Sequence, residues 1–115
     1  MILEMVPGRI IDQVEDELGL TDRDVALAVG VNLRTMERWR AGETYPQRDA
    51  RQRLAALLAL RHHLRETFST AEAIRVWTHT DSRYLGGFSP ADALRVGRIE
   101  RVEAALEALD SGAFV

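Results

Sequence analysis

Cysteine is absent from this chain, and so is lysine. Without cysteine there is no disulfide, no thiol nucleophile and no cysteine zinc site, and nothing asks for an oxidising compartment. Without lysine, all fifteen cationic side chains are arginine, which reflects GC-rich coding first and a taste for forked, phosphate-matching donors only second. No apolar run approaches membrane length, and Met1-Ile2-Leu3-Glu4-Met5 has neither the basic flank nor the long apolar core of a targeting segment. A soluble, cytoplasmic chain without a membrane partner is expected. Period-two alternation, internal repeats and low-complexity tracts are missing too, which argues against sheets, solenoids and linkers.

What is present suits one small helical domain, or two subdomains sharing a core. The chain has 115 residues and 46% apolar content, enough for a core without staples. Its net charge of -3 is wrong for a stand-alone nucleic-acid binder. The exception is residues 33–53, where Arg34, Arg38, Arg40, Arg48, Arg51 and Arg53 face only Glu37, Glu43 and Asp49, a local surplus of three positive charges.

Helix starts and stops follow one another along the chain. Pro7 fits a first helical position, Ile11, Val14 and Leu18 recur at helical spacing, and Gly19 is a stop. Thr21 with Asp24 forms a capping box ahead of Val25, Ala26 and Val29. Gly30-Val31 makes a turn, Asn32 caps a third helix with Met36 and Trp39 inward, and Gly42 ends it. A connector with Gly42 and Pro46 leads to a long helix over about Asp49 to Thr67, with Leu54, Leu57, Leu58, Leu64 and Phe68 on one stripe. Ser69 with Glu72 predicts a further capping box, for a helix carrying Ile74 and Trp77. Residues 78–88 read as a loop. Ser89, Pro90 and Asp92 open another helix that Gly97 closes, and the last helix spans about Arg98 to Asp110 with Ile99, Val102, Leu106 and Leu109 on its stripe. The fold class is all-α: an N-terminal helical bundle over 1–48, a bridging helix over 49–68 and a small helical subdomain over 69–115.

Catalysis finds no constellation. His62 and His63 are adjacent on a helix and point about 100° apart, wrong for joint ligation or acid/base work, so both are expected at the surface. His79 lies near Asp81 at a spacing that suits a local hydrogen bond. The serines sit at caps, and Gly86-Gly87 matches no nucleotide motif. The reading is a non-enzyme with no metal and no cofactor.

The pattern Leu20-Thr21, Val25-Ala26, Gly30-Val31-Asn32, Thr35, Arg38-Trp39 and Gly42 has helix-turn-helix spacing. In such a module the second helix offers its outward N-terminal residues to the major groove, which makes Asn32, Arg34, Thr35 and Arg38 the candidate DNA contacts. Leu33 and Glu37 share that face, so it also reads as a dimerisation or packing platform with weak DNA affinity. The second half carries Trp77, Leu85-Gly86-Gly87, Ser89-Pro90, Leu94, Gly97, Val102, Leu106 and Gly112.

Together the two halves resemble the Xre/MbcA/ParS-type antitoxins of RES-Xre toxin-antitoxin systems, which join a helix-turn-helix to a ParS/MbcA toxin-binding domain. The resemblance implies an antitoxin that inhibits a RES-domain, NAD-degrading toxin by covering its active site and that autorepresses its operon. It implies toxin contacts at Trp77, Arg83 and Tyr84 and along Ser111, Gly112, Ala113, Phe114 and Val115. An apolar, aromatic tail gains nothing in water unless something covers it. Phe114 has the shape to fill a flat-ring site, with the α-carboxylate of Val115 meeting an arginine. Operator DNA, bound weakly by the antitoxin alone, and a homodimer within the hetero-oligomer complete the expected partners. The competing reading is a helix-turn-helix repressor without a toxin partner, in which the second half only dimerises.

Overall fold

The computed structural model of the chain describes residues 6–112, which form seven α-helices and one 3-10 turn with no strand among them. Helix α1 spans Pro7–Leu18, α2 Asp22–Val29 and α3 Leu33–Arg40. Helix α4 spans Arg48–Thr67, α5 Ala71–Thr78, α6 Pro90–Arg95 and α7 Ile99–Asp110, with the 3-10 turn at Arg83–Leu85. The all-helical class is as the periodicity predicts.

Local chemistry explains most of the boundaries. Pro7 stands in the first turn of α1, and Gly19 terminates that helix in the left-handed region at φ 70°. Gly19 is also sterically confined: a Cβ there would come within 3.2 Å of Arg75 Cδ and of His79 Nε2. Thr21 and Asp24 close a reciprocal capping box on α2, and Ser89 and Asp92 close a second one on α6. Asn32 Oδ1 accepts the Thr35 amide and caps α3.

Three boundaries differ from the sequence expectation. Ser69 does not cap α5: Thr70 does, accepting the Ala73 amide, so the third helical position falls on alanine and no capping box forms with Glu72. The third helix ends at Arg40, before Gly42, because Ala41 already sits as its cap. Residues 78–88 are not plain loop, since the 3-10 turn falls inside them.

One hydrophobic cluster runs through both halves of the chain. Ile11, Val14 and Leu18 of α1, Val25 of α2, Met36 and Trp39 of α3, Ile74, Leu94, Val102 and Leu106 all belong to it. The long helix supplies its centre through Leu54, Leu57, Leu60 and Leu64, each at most 1% exposed. Leu60 therefore takes the buried place that the sequence stripe gave to Leu58, which is half-buried beside it. Twenty residues at about 1.5 Å each make α4 a rod of roughly 30 Å. It packs against α1, α2, α5 and α7, so N-terminal and C-terminal elements share one wall.

A charged tie joins the halves as well. Arg95 Nε donates to Asp24 Oδ1 at 2.7 Å, and its Nη1 donates to Asp92 Oδ1 at 2.8 Å. One guanidinium thus bridges the capping-box acids of α2 and α6. Asp24 is buried, and burial alone would raise its pKa, but the Arg95 bond and the Thr21 amide outweigh that and hold it low.

Candidate functional site

The candidate site residues expected from the sequence fall on two surfaces, one on α3 and one running from α5 to α7. On α3, Asn32, Leu33, Arg34, Glu37 and Arg38 are exposed, and Thr35 is half-buried. The outward face is therefore Arg34, Glu37 and Arg38, with Asn32 committed as a cap through its oxygen and only its amide nitrogen left to donate. Among the described residues Arg34 makes no ion pair, while Arg38 leans towards Glu43 at 3.7 Å.

The local positive surplus shrinks in three dimensions because several of its arginines serve the fold. Arg40, at the end of α3, sits 3.0 Å from Asp12, 3.4 Å from Glu15 and 2.8 Å from Asp22, tying α1, α2 and α3 together. Arg51 donates to the Pro46 carbonyl, and Arg53 to those of Ala28 and Gly97. Around Arg40 the three carboxylates are too many for one cation. Burial, and next the hydrogen bond from Glu15 to Asp22, pushes the Glu15 carboxyl up to about 7. The same shared proton holds Asp22 low.

On the second surface, the residues expected to act together lie in two places. Trp77 is half-buried and packs on Phe68 with ring centroids 6.0 Å apart, so it is part core and part surface. Arg83 and Tyr84 are exposed on the 3-10 turn. Their loop is closed by the Ser82 amide donating to the Phe88 carbonyl at 2.9 Å and the Gly87 amide to Ser82 at 2.8 Å, with Gly86 and Gly87 at φ 72° and 92°. His79 does not meet Asp81. Its Nε2 faces the Leu18 and Gly19 carbonyls at 3.1 and 2.9 Å, because α5 lies across the end of α1. Arg75 reinforces that crossing by donating to the Asp16 carbonyl.

Further on, Phe88 and Val96 stand out to solvent on either side of a groove edged by Arg98 and Arg101. Sequence reading passed over them, since Phe88 looks like a loop residue and Val96 like a helix-end valine; their exposure is set by neighbours distant in sequence. The end of α7 is pinned to α4. His63, expected at the surface, is wedged between Glu103 Oε1 at 2.7 Å and Asp110 Oδ2 at 2.6 Å, and Thr67 also donates to Asp110. His62 is exposed as expected. Ser111 caps α7 and Gly112 follows at φ 78°, both exposed. Ala113, Phe114 and Val115 lie outside the described residues.

The His63 clamp predicts a pH dependence of stability. Burial alone would lower the pKa of the imidazole, but the Glu103 and Asp110 carboxylates outweigh it and hold the imidazole above its ordinary value. A raised folded-state value means that the stabilisation is complete below about pH 6.5 and is lost as pH rises through the folded value. Glu15 acts in the same direction over a lower window: the folded state binds the extra proton, so stability falls between pH 4.5 and about 7. Melting temperature should therefore drop from mildly acidic to alkaline pH. His63→Gln should remove the upper part of that drop and leave the Glu15 part, which melting curves across the range will read.

Among the described residues no group of three or more His, Cys, Asp or Glu is placed to hold a metal ion, and no helix is long and apolar enough to cross a membrane. The class the fold defines is an all-helical protein with a helix-turn-helix packed through one core onto a second helical module. Comparison with known proteins makes the class definite. The antitoxin Xre/MbcA/ParS C-terminal toxin-binding domain matches residues 63–112, from the end of α4 through α7. The mycobacterial cidal antitoxin MbcA of Mycobacterium tuberculosis is 37% identical over 100 residues, 87% of this chain and 88% of that protein. MbcA of Mycobacterium bovis matches to the same extent. A chain of the crystal structure of the M. tuberculosis MbcT-MbcA toxin-antitoxin complex superposes with a TM-score of 0.68 at 33% identity, covering 97% of this chain and all of that one. The chain belongs to the Xre/MbcA/ParS antitoxin family.

Proposed function

We propose that this antitoxin binds and inhibits a RES-domain, NAD-degrading toxin by covering its active site, and that its helix-turn-helix represses its own operon as a homodimer within the toxin complex. The observation that carries the reading is the match of the toxin-binding domain to residues 63–112, which ends where α7 stops and the apolar tail begins. The solved relative comes from a complex with a toxin, MbcT, which supports a protein partner here. Tail residues Phe114 and Val115 are the proposed plug, with Trp77, Arg83 and Tyr84 as flanking contacts.

The test is co-expression with the toxin encoded in the adjacent reading frame while cellular NAD is followed. The full chain should preserve NAD and growth. Phe114→Ala should weaken inhibition by about 1.5 to 3 kcal/mol, the value of burying one phenyl ring. Deleting residues 112–115 should leave a complex that assembles but lets NAD fall. If the tail-deleted protein still protects, inhibition comes from the surface between Trp77 and Tyr84. If the full chain neither binds nor protects, the chain acts as a helix-turn-helix repressor alone.

A further inference from the structure

Val96 and Phe88 are the most exposed large apolar side chains among the described residues, at 67% and 62%. They flank one groove, whose buried floor is Leu85 and Ala93 and whose edge is Arg98 and Arg101. Neither lip is a floppy surface residue. Phe88 is fixed through its backbone to Ser82, and Val96 sits where α6 stops and Gly97 turns the chain at φ 78°. A preorganised apolar pair loses little freedom when it is covered, which favours binding.

The charges point to what covers it. Arg38, Arg40, Arg61, Arg65 and Arg95 all have carboxylate partners. Among the described residues Arg98 and Arg101 make no ion pair; other exposed arginines such as Arg34 make none either, but these two both edge the apolar groove, in a chain carrying 18 acids against 15 cations. They stand three apart at the start of α7, where the Arg101 amide donates to the Arg98 carbonyl, so both guanidiniums flank the same opening. The remaining charges of the lining, Asp92 and Arg95, satisfy each other at 2.8 Å. The groove thus offers apolar contact beside two unpaired, bidentate-capable cations.

We propose that this groove docks a segment of the toxin that presents a large apolar side chain between Phe88 and Val96 and carboxylates to Arg98 and Arg101. The proposal rests on the antitoxin reading and places a second anchor at the other end of α7, a helix of 12 residues, from Gly112. Charge complementarity would speed and orient the encounter, and the apolar pair would hold it.

The experiment measures affinity for the toxin of the adjacent reading frame by calorimetry at two salt concentrations. Arg98→Glu with Arg101→Glu should weaken binding at least about 10-fold and flatten its salt dependence. Val96→Ser, which adds no charge, should weaken it by a similar factor while keeping the wild-type salt dependence. Both variants change exposed side chains only, so their melting temperatures should match the wild type. Wild-type affinity in both variants would overturn the groove and leave the antitoxin reading standing. Failure of the unaltered chain to bind the toxin would remove both. If Val96→Ser instead converts a self-associating protein into a monomer with toxin affinity unchanged, the groove belongs to a second copy of this chain and the proposal is wrong.

Discussion

Replacing Arg34 and Arg38 together with alanine should weaken operator binding by about 2 to 6 kcal/mol, the sum of two specific base contacts. Both side chains point outward one turn apart on α3, and neither touches the core, so the fold should be untouched. Arg34 should account for more of the loss, because Arg38 is already drawn towards Glu43. Replacing Glu43 with glutamine should tighten binding, since it frees Arg38 and removes a charge that repels phosphate. Titration of promoter fragments by gel shift or anisotropy reads all three variants. Toxin neutralisation should survive in each, because the residues of the toxin-binding domain begin at 63. Unchanged promoter binding in the double variant would show that α3 is a packing face and not the reader.

Leu57→Ala should cost about 2 to 5 kcal/mol, the range for removing a buried leucine from a close-packed core. Leu57 is fully buried, on the helix that touches four others, and the cavity cannot collapse without moving several of them. Against a total stability of about 5 to 15 kcal/mol, that is a large fraction. The loss should be felt in both halves at once. Trp39 lies in the N-terminal bundle and Trp77 beyond the long helix, so two single-tryptophan variants supply one fluorescent reporter for each. Their urea midpoints should coincide before and after Leu57→Ala, with the slope of the transition unchanged. Separate midpoints would mean that the two halves unfold independently.

The signals that sequence reading caught are those written over three or four residues. Thr21 with Asp24, Ser89 with Asp92, Asn32 before Thr35, and Gly19 after Leu18 each act within one turn, and each formed as expected. Local signals also failed: Ser69 with Glu72 lost to an equally good cap one residue later at Thr70, Ala41 ended the third helix ahead of Gly42, and His79 faces the Leu18 and Gly19 carbonyls and not Asp81. What could not be read locally are the pairings over long separations. Arg95 reaches Asp24 across 71 residues and His63 reaches Asp110 across 47, distances at which pattern carries no register. For the same reason Arg40 counted towards the local positive surplus of residues 33–53 and is a fold-internal tie. The Phe88 and Val96 groove was invisible because exposure depends on what fails to pack nearby.

The long helix has a consequence for how such a protein can be rebuilt. Leu54, Leu57, Leu60 and Leu64 form a party wall: α1 leans on one side of it and α7 on the other. A transplant of residues 63–112 onto a different DNA-binding head would carry only the last five residues of that wall and would leave Val102 and Leu106 without their neighbours. A workable chimera has to cut before Arg48, take the whole helix with the C-terminal half, and refit the new head to the α1 side. Even then Arg95 would arrive without Asp24, so the recipient must offer a carboxylate at the start of its own second helix.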